Sequence, residues 1–183
     1  MKATSILESI LCAAILLVGL SVSQAQPADT APVVEKTIRQ YYAAMAKRDV
    51  ESLREVLDRK FVIVEADQVN AKVGVLDSGK SAELLPPEGN HDWDNIQISS
   101  VKIEISPTHP SVAVASFTLT RPLDASSVAH LQEALDTAPA EFDESNRKAI
   151  ARRIADRAIH YSEFAMLARR DGKWKIVSIS VPR

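Results

Sequence analysis

The chain has 183 residues, of which 46% are hydrophobic and 25% charged, and 22 lysines and arginines face 24 acids for a formal net charge of −2. That balance gives no electrostatic footprint for nucleic acid. A single cysteine, Cys12, excludes a disulfide-stapled scaffold, so the fold rests on its apolar core.

The N-terminus reads as an export signal. Lys2 precedes an apolar run from Ile10 to Leu20, and Ser23, Gln24 and Ala25 supply small or polar residues at a cleavage point. The run stops well short of the roughly 20 apolar residues that a transmembrane anchor needs. Cys12 lies inside the run after the branched Leu11, which is not the setting of a lipid-modified cysteine. Residues 1–25 are therefore expected to be a signal peptide. A single mature domain of 26–183 should follow, secreted or periplasmic and without a transmembrane segment. A chain of that length can bury roughly two-thirds of the surface it exposes when unfolded.

Asp29, Thr30 and Pro32 mark a helix start, and Val34, Ile38, Tyr41 and Met45 fall on one helical face. Lys47 and Arg48 close that helix. Asp49 is placed to cap a second, short one whose apolar side is Val50, Leu53, Val56 and Leu57. Phe61 to Glu65 is rich in β-branched residues and reads as a strand. From Ala66 to Asn90 the pattern weakens to a rim or connection, with a short helix at Ser78–Leu85 stopped by Pro86 and Pro87. Ile96 to Ile105 is a strand with a bulge near Ser99 and Ser100, where the alternation changes phase. It turns at Pro107–Pro110 and returns as Ser111–Arg121.

Two further signals follow. Between Arg121 and His160, roughly forty residues replace an ordinary hairpin turn, far more than usual connection lengths. Val128, Leu131 and Leu135 form one helical stripe there, and Ile150, Ile154 and Ala158 form a second, so 122–159 is expected to be an inserted helical hairpin. Residues 147–157 carry Lys148, Arg152, Arg153 and Arg157. Such a helix either meets an acidic partner or membrane surface, or docks on the sheet with its arginine stems snorkelling around the isoleucines. Finally, Tyr161–Arg170 and Trp174–Val181 flank Asp171 and Gly172, a pair that accepts the positive φ values of a tight hairpin turn. Helices first and antiparallel strands afterwards make an α+β domain.

The segment from Ile38 to Leu53, the following Leu57 and Phe61, and the terminal Arg170–Val177 resemble the nuclear transport factor 2-like superfamily, especially exported members related to SnoaL-like polyketide cyclases. The likeness covers about residues 32–65, 94–121 and 160–181. It implies a cystatin-like cone of curved antiparallel strands wrapped around the first helix, open at one end to an apolar pocket. It also implies frequent homodimers formed sheet to sheet, which the insertion puts in doubt. In the isomerase branch of that superfamily a tyrosine on the first helix donates a hydrogen bond and an aspartate after the first strand abstracts a proton. Tyr41 falls in register with that tyrosine. The aspartate's place is taken by Ala66, with Asp67 one residue late, and a one-residue shift turns a strand side chain to the other face.

The remaining polar residues leave alternatives. Tyr41 and Tyr42 point to different sides of the helix, so one lines the interior and the other packs or faces solvent. His91, Asp92, Trp93 and Asp94 make either a general-base or metal-binding rim or a solvated loop around a packing tryptophan. Glu163 shares a strand face with Tyr161, Ala165 and Leu167. It is a buried carboxyl with a raised pKa if that face lines the pocket, and a cross-strand polar residue if it faces outward. The four histidines, His91, His109, His130 and His160, lack metal-ligand spacing, and neither a phosphate-cradling glycine loop nor a serine-nucleophile elbow is present. No cofactor is implied.

The resulting expectation is a cone that binds a small apolar ligand, lined by Tyr42, Trp93, Phe117 and Tyr161, or that mediates association. One alternative is a proton-transfer enzyme, a cyclase, dehydratase or isomerase, using Tyr41 with Glu163 or Asp67. Another is a protein-interaction module acting through the inserted helices.

Overall fold

The computed structural model describes residues 30–66, 71–86, 88, 93–139 and 142–182. The expected signal peptide, the helix cap at Asp29, and Asp67, His91 and Asp92 lie outside them. Helix α1 spans Thr30–Lys47 and α2 spans Val50–Val56. The carboxylate of Asp49 caps α2, accepting from the Ser52 backbone N–H at 3.1 Å and from the Ser52 hydroxyl at 2.6 Å. Six strands follow: β1 Leu57–Ala66, β2 Ala71–Asp77, β3 Gln97–Ile105, β4 Val112–Pro122, β5 Ala158–Arg170 and β6 Lys173–Pro182. A 3₁₀ segment, Ser78–Leu84, follows β2, and helices α3 (Ala125–Asp136) and α4 (Glu144–Asp156) lie between β4 and β5.

The strands form one curved sheet in the order β2-β1-β6-β5-β4-β3, antiparallel throughout except for the parallel pair β1–β6. Its concave face and α1 share one core. Val34, Ile38, Tyr41, Tyr42, Ala44 and Met45 come from the helix, and Phe61, Phe117, Leu119, Leu167, Ile176 and Ile179 come from the strands. Ala113, Ala115 and Ala165 are fully buried in the same cluster, and Ala115 pairs directly with Ala165 across β4 and β5. Three small side chains at the middle of a sheet leave room for the tyrosines and methionine of the helix, because protein interiors fill to crystal-like density.

The local chemistry of the turns is as the sequence implies. Asp171 and Gly172 take φ values of 50° and 78° between β5 and β6, as a type I′ turn requires. Ser100 takes φ 53° where the β3–β4 register shifts between Ser99 and Lys102, the expected bulge.

Three expectations need correction. The stretch after Ala66 is not merely a connection, because Ala71–Asp77 forms β2 at the sheet edge. Its valines, Val73 and Val75, face solvent, so the strand is specified by backbone pairing to β1 rather than by burial of one face. The first strand begins at Leu57, not Phe61, because α2 ends at Val56 and Leu57 already has extended geometry (φ −87°, ψ 146°). Ala158 belongs to β5 rather than to a helical stripe, since Arg157 ends α4 in the left-handed region at φ 49°. On α4, Lys148 lies 3.5 Å from Glu144 and Arg152 lies 3.4 Å from Asp156, both as exposed pairs one helical turn apart.

The inserted helices hang from the end of a continuous β4–β5 ladder. That ladder runs to Pro122 opposite Ala158, and the Leu123 N–H then donates to the Arg157 carbonyl at 2.8 Å. Neither helix contains a buried residue among those described. Nor do the helices cover the outer sheet face, where Val114, Phe164 and Met166 remain 44%, 41% and 42% exposed.

Candidate functional site in the interior of the cone

The interior gathers one acid and four rings. Glu163 sits on β5 directly opposite Phe117 of β4, and the Tyr42 ring of α1 stands edge-on to Phe117 at 5.8 Å between centroids. Tyr41 meets Tyr42 edge-on at 5.1 Å, and Trp93 stacks on Tyr42 at 6.1 Å with 24° between the planes. Edge-on and stacked pairs at these separations are the preferred aromatic geometries. The pairings fix the Tyr42 ring from three sides.

Both tyrosines are buried, so of the alternatives for the second one it packs inside rather than facing solvent. Residues 37, 38, 41, 42, 44 and 45 of α1 are all buried, a face wide enough to take neighbouring positions because the sheet curves around the helix. Glu163 is also inside, only 6% exposed, so the inward alternative for its strand face is the correct one.

The polar atoms in this interior are unequally served. The Ser180 hydroxyl on β6 donates to Glu163 Oε2 and accepts from the Phe164 backbone N–H at 2.8 Å. Ser180 stands in for strand pairing here, because the β5–β6 ladder extends only as far as Ala165 opposite Ile179. The Tyr42 hydroxyl, in a residue only 3% exposed, has no hydrogen-bond partner among the described residues. An unpaired buried hydroxyl costs about 1–3 kcal/mol.

Electrostatics follow from that setting. Burial raises the Glu163 carboxyl above its ordinary value, with the Ser180 hydrogen bond acting in the opposite direction. Burial also pushes both phenols up, and the proximity of Glu163 adds to the effect on each. The two tyrosines are therefore neutral hydroxyl groups at any physiological pH, next to a carboxyl that takes up a proton more readily than one in water. Besides the two phenols, the buried polar or charged side chains among the described residues are Thr37, Ser81, Glu163 and Ser180, so no lysine or arginine there is buried beside Glu163.

Tyr41, Tyr42, Trp93, Phe117 and Glu163 thus converge, while Tyr161 packs half-buried at the edge of the same core. Asp67 and the His91–Asp92 pair cannot be placed with them, since they lie outside the described residues. Asp94 is exposed. His109 sits in its turn beside Thr108, and His160 on β5 contacts Thr120 at 3.0 Å and Asp156 at 3.7 Å. Among the described residues, no three histidine, cysteine or acidic side chains are placed to hold a metal, and no helix is long and apolar enough to cross a membrane. Two surface hollows lie elsewhere. One, of about 140 Å³, lies between α1 and α2 beside Gln40, Lys47 and Glu55; the other, of about 250 Å³, lies beside α4 with Arg152, Arg153 and His160.

Ser180 was missed at the level of sequence. Alternation along β6 gives no signal for it, because the register against β5 shifts between Ile176 and Ser178, which puts Ile179 opposite Ala165 and leaves Ser180 to reach Glu163 from the next position.

A curved sheet folded around a long N-terminal helix, with aromatic and acidic groups in the concavity, defines a nuclear transport factor 2-like, cystatin-like α+β fold. Solved structures bear this out. An NTF2-like protein of unknown function from Methylobacillus flagellatus KT aligns with a TM-score of 0.50 at 13% identity, covering 85% of this chain and 92% of its own. Another of unknown function, from Shewanella oneidensis MR-1, aligns with a TM-score of 0.50 at 8% identity, covering 83% and 98%. Likeness at these identities extends to the fold and not to an activity. No protein-family model and no curated protein matches the sequence.

Proposed function

We propose that the protein is an exported binding domain that takes a small, largely apolar ligand into the concavity of the cone. The observation that carries this reading is the Tyr42 hydroxyl, buried with no partner among the described residues on a ring packed by the rings of Tyr41, Trp93 and Phe117. A polar group of a ligand that reached it would recover the desolvation cost that the free protein bears, while the rings of Trp93 and Phe117 contact the apolar body. The test is thermal unfolding of the purified protein with single-ring and fused-ring aromatic compounds, alongside Tyr42→Phe. Binding should raise the unfolding midpoint of the native protein and weaken about tenfold or more in the variant, the worth of one buried hydrogen bond. Absence of binding by any of them refutes the reading. Export is checked by the mass of the mature chain, which should begin at Gln26.

A second reading is proton transfer, favoured by the raised carboxyl of Glu163 in the same interior as two neutral phenols. Glu163 would act as base toward an acidic C–H while Tyr42 or Tyr41 hydrogen-bonds the adjoining oxygen. Exchange of solvent deuterium into the α-position of a bound cyclic ketone, lost in Glu163→Gln, supports it. Binding without exchange leaves the protein a carrier.

A further inference from the structure

The interior holds an acid whose charge, when ionised, nothing described inside it would answer. Glu163 is buried against Phe117, and its only described hydrogen bond comes from the neutral hydroxyl of Ser180. The titratable groups facing it are the phenols of Tyr41 and Tyr42 on α1, while β4 presents Phe117 and β6 presents Ser180. An ionised carboxylate in such a setting is costly unless a cation reaches it. The second polar group, the Tyr42 hydroxyl, is buried and unpartnered among the described residues, and its oxygen can accept a hydrogen bond as well as donate one. Around both stand aromatic rings, whose faces attract a cation once it has lost its water.

We propose that the cone selects a small protonated amine with an apolar body, the ammonium held between the Glu163 carboxylate and the Tyr42 oxygen and the body packed on Phe117 and Trp93. This rests on the interior-binding reading and specifies the charge of the ligand. A neutral isostere keeps the ring contacts but leaves Glu163 without a counter-charge. A carboxylate of the same size meets the acid head on and is rejected. Binding the amine requires Glu163 to be ionised, so a proton leaves that carboxyl for solvent when binding occurs below its folded-state pKa. Affinity then rises with pH through that pKa and levels off until the amine itself loses its proton.

The experiment uses three probes of one shape, benzylamine, benzyl alcohol and benzoate, titrated into the purified full chain by calorimetry across pH 5–8, with Glu163→Gln and Tyr42→Phe in parallel. The expected result is benzylamine bound roughly 10- to 100-fold tighter than benzyl alcohol, the usual worth of a hydrogen bond to a charged group, with benzoate weakest. Glu163→Gln should abolish that preference and its pH dependence while benzyl alcohol still binds, a pattern that loss of fold would not produce. Equal binding of amine and alcohol in the native protein overturns the charge assignment and leaves the binding reading standing. If none of the three binds, the assignment falls, and the aromatic panel above decides whether the binding reading falls with it.

Discussion

Replacing Tyr42 by phenylalanine removes one oxygen and leaves the ring, with its contacts to Tyr41, Phe117 and Trp93 at 5.1, 5.8 and 6.1 Å, in place. Ordinarily a buried tyrosine loses a hydrogen bond in this exchange and the protein is weakened by about 1 kcal/mol. Here the hydroxyl has no described partner, so the substitution removes a desolvation cost of about 1–3 kcal/mol and gives up no bond. The ligand-free variant should therefore be more stable than the native protein by about 1 kcal/mol, a rise of roughly 2–4 °C in Tm for a domain of this size. The assay is equilibrium urea unfolding at pH 7 with ligand removed by refolding, read by far-ultraviolet circular dichroism so that the Trp93 environment does not distort the comparison. Tyr41→Phe serves as a control for the loss of a phenol at the adjacent position. A Tyr42→Phe variant weaker than native by 1 kcal/mol or more refutes the reasoning, because it requires a partner for the hydroxyl in the free state. A variant that is more stable yet binds less is the signature of a residue kept for binding at a cost to the fold.

The other predictions are structural. The folded-state pKa of Glu163 is raised, so the stability it contributes is fully present below its unfolded value and is lost as pH rises through the folded value. Glu163→Gln should then gain on the native protein between pH 4 and pH 8 in denaturant midpoints, and parallel pH profiles would contradict the burial of that carboxyl. Ala165→Leu places three more carbons where Ala165 is fully enclosed between Ala115 and Ile179; overpacking should cost about 1–3 kcal/mol, and a neutral result would mean that the core beneath the helix is not filled. Replacing residues 124–156 by Asn-Gly should leave a folded sheet with stability lowered by less than about 1 kcal/mol. Leu123 and Arg157 are already bonded across the ladder and neither helix contributes a described buried residue; a larger loss in calorimetry would show that the helices brace the body.

What was legible in the sequence was whatever is decided locally. The four-and-three spacing of Val34, Ile38, Tyr41 and Met45 fixes a helix because those side chains meet on one face. Asp171 and Gly172 fix a hairpin because few other pairs accept two positive φ values in succession. The site needed information that no window contains. Alternation places Glu163 with Ala165 and Leu167 but not on the inside, since the face that becomes concave is set by the strands and helix packed against it. Tyr41 and Tyr42 lie about 100° apart around α1, which on a flat sheet would send one of them outward; only a sheet that curls around the helix buries both. β2 escaped for the opposite reason. An edge strand with one partner and exposed valines carries no amphipathic signal, and its identity resides in backbone bonds to β1, made wherever β1 leaves them open. The same curvature that hid the second tyrosine from a helical-wheel argument brings its ring into the interior that holds the acid on β5, so the site follows from the shape of the sheet more than from any motif in the chain.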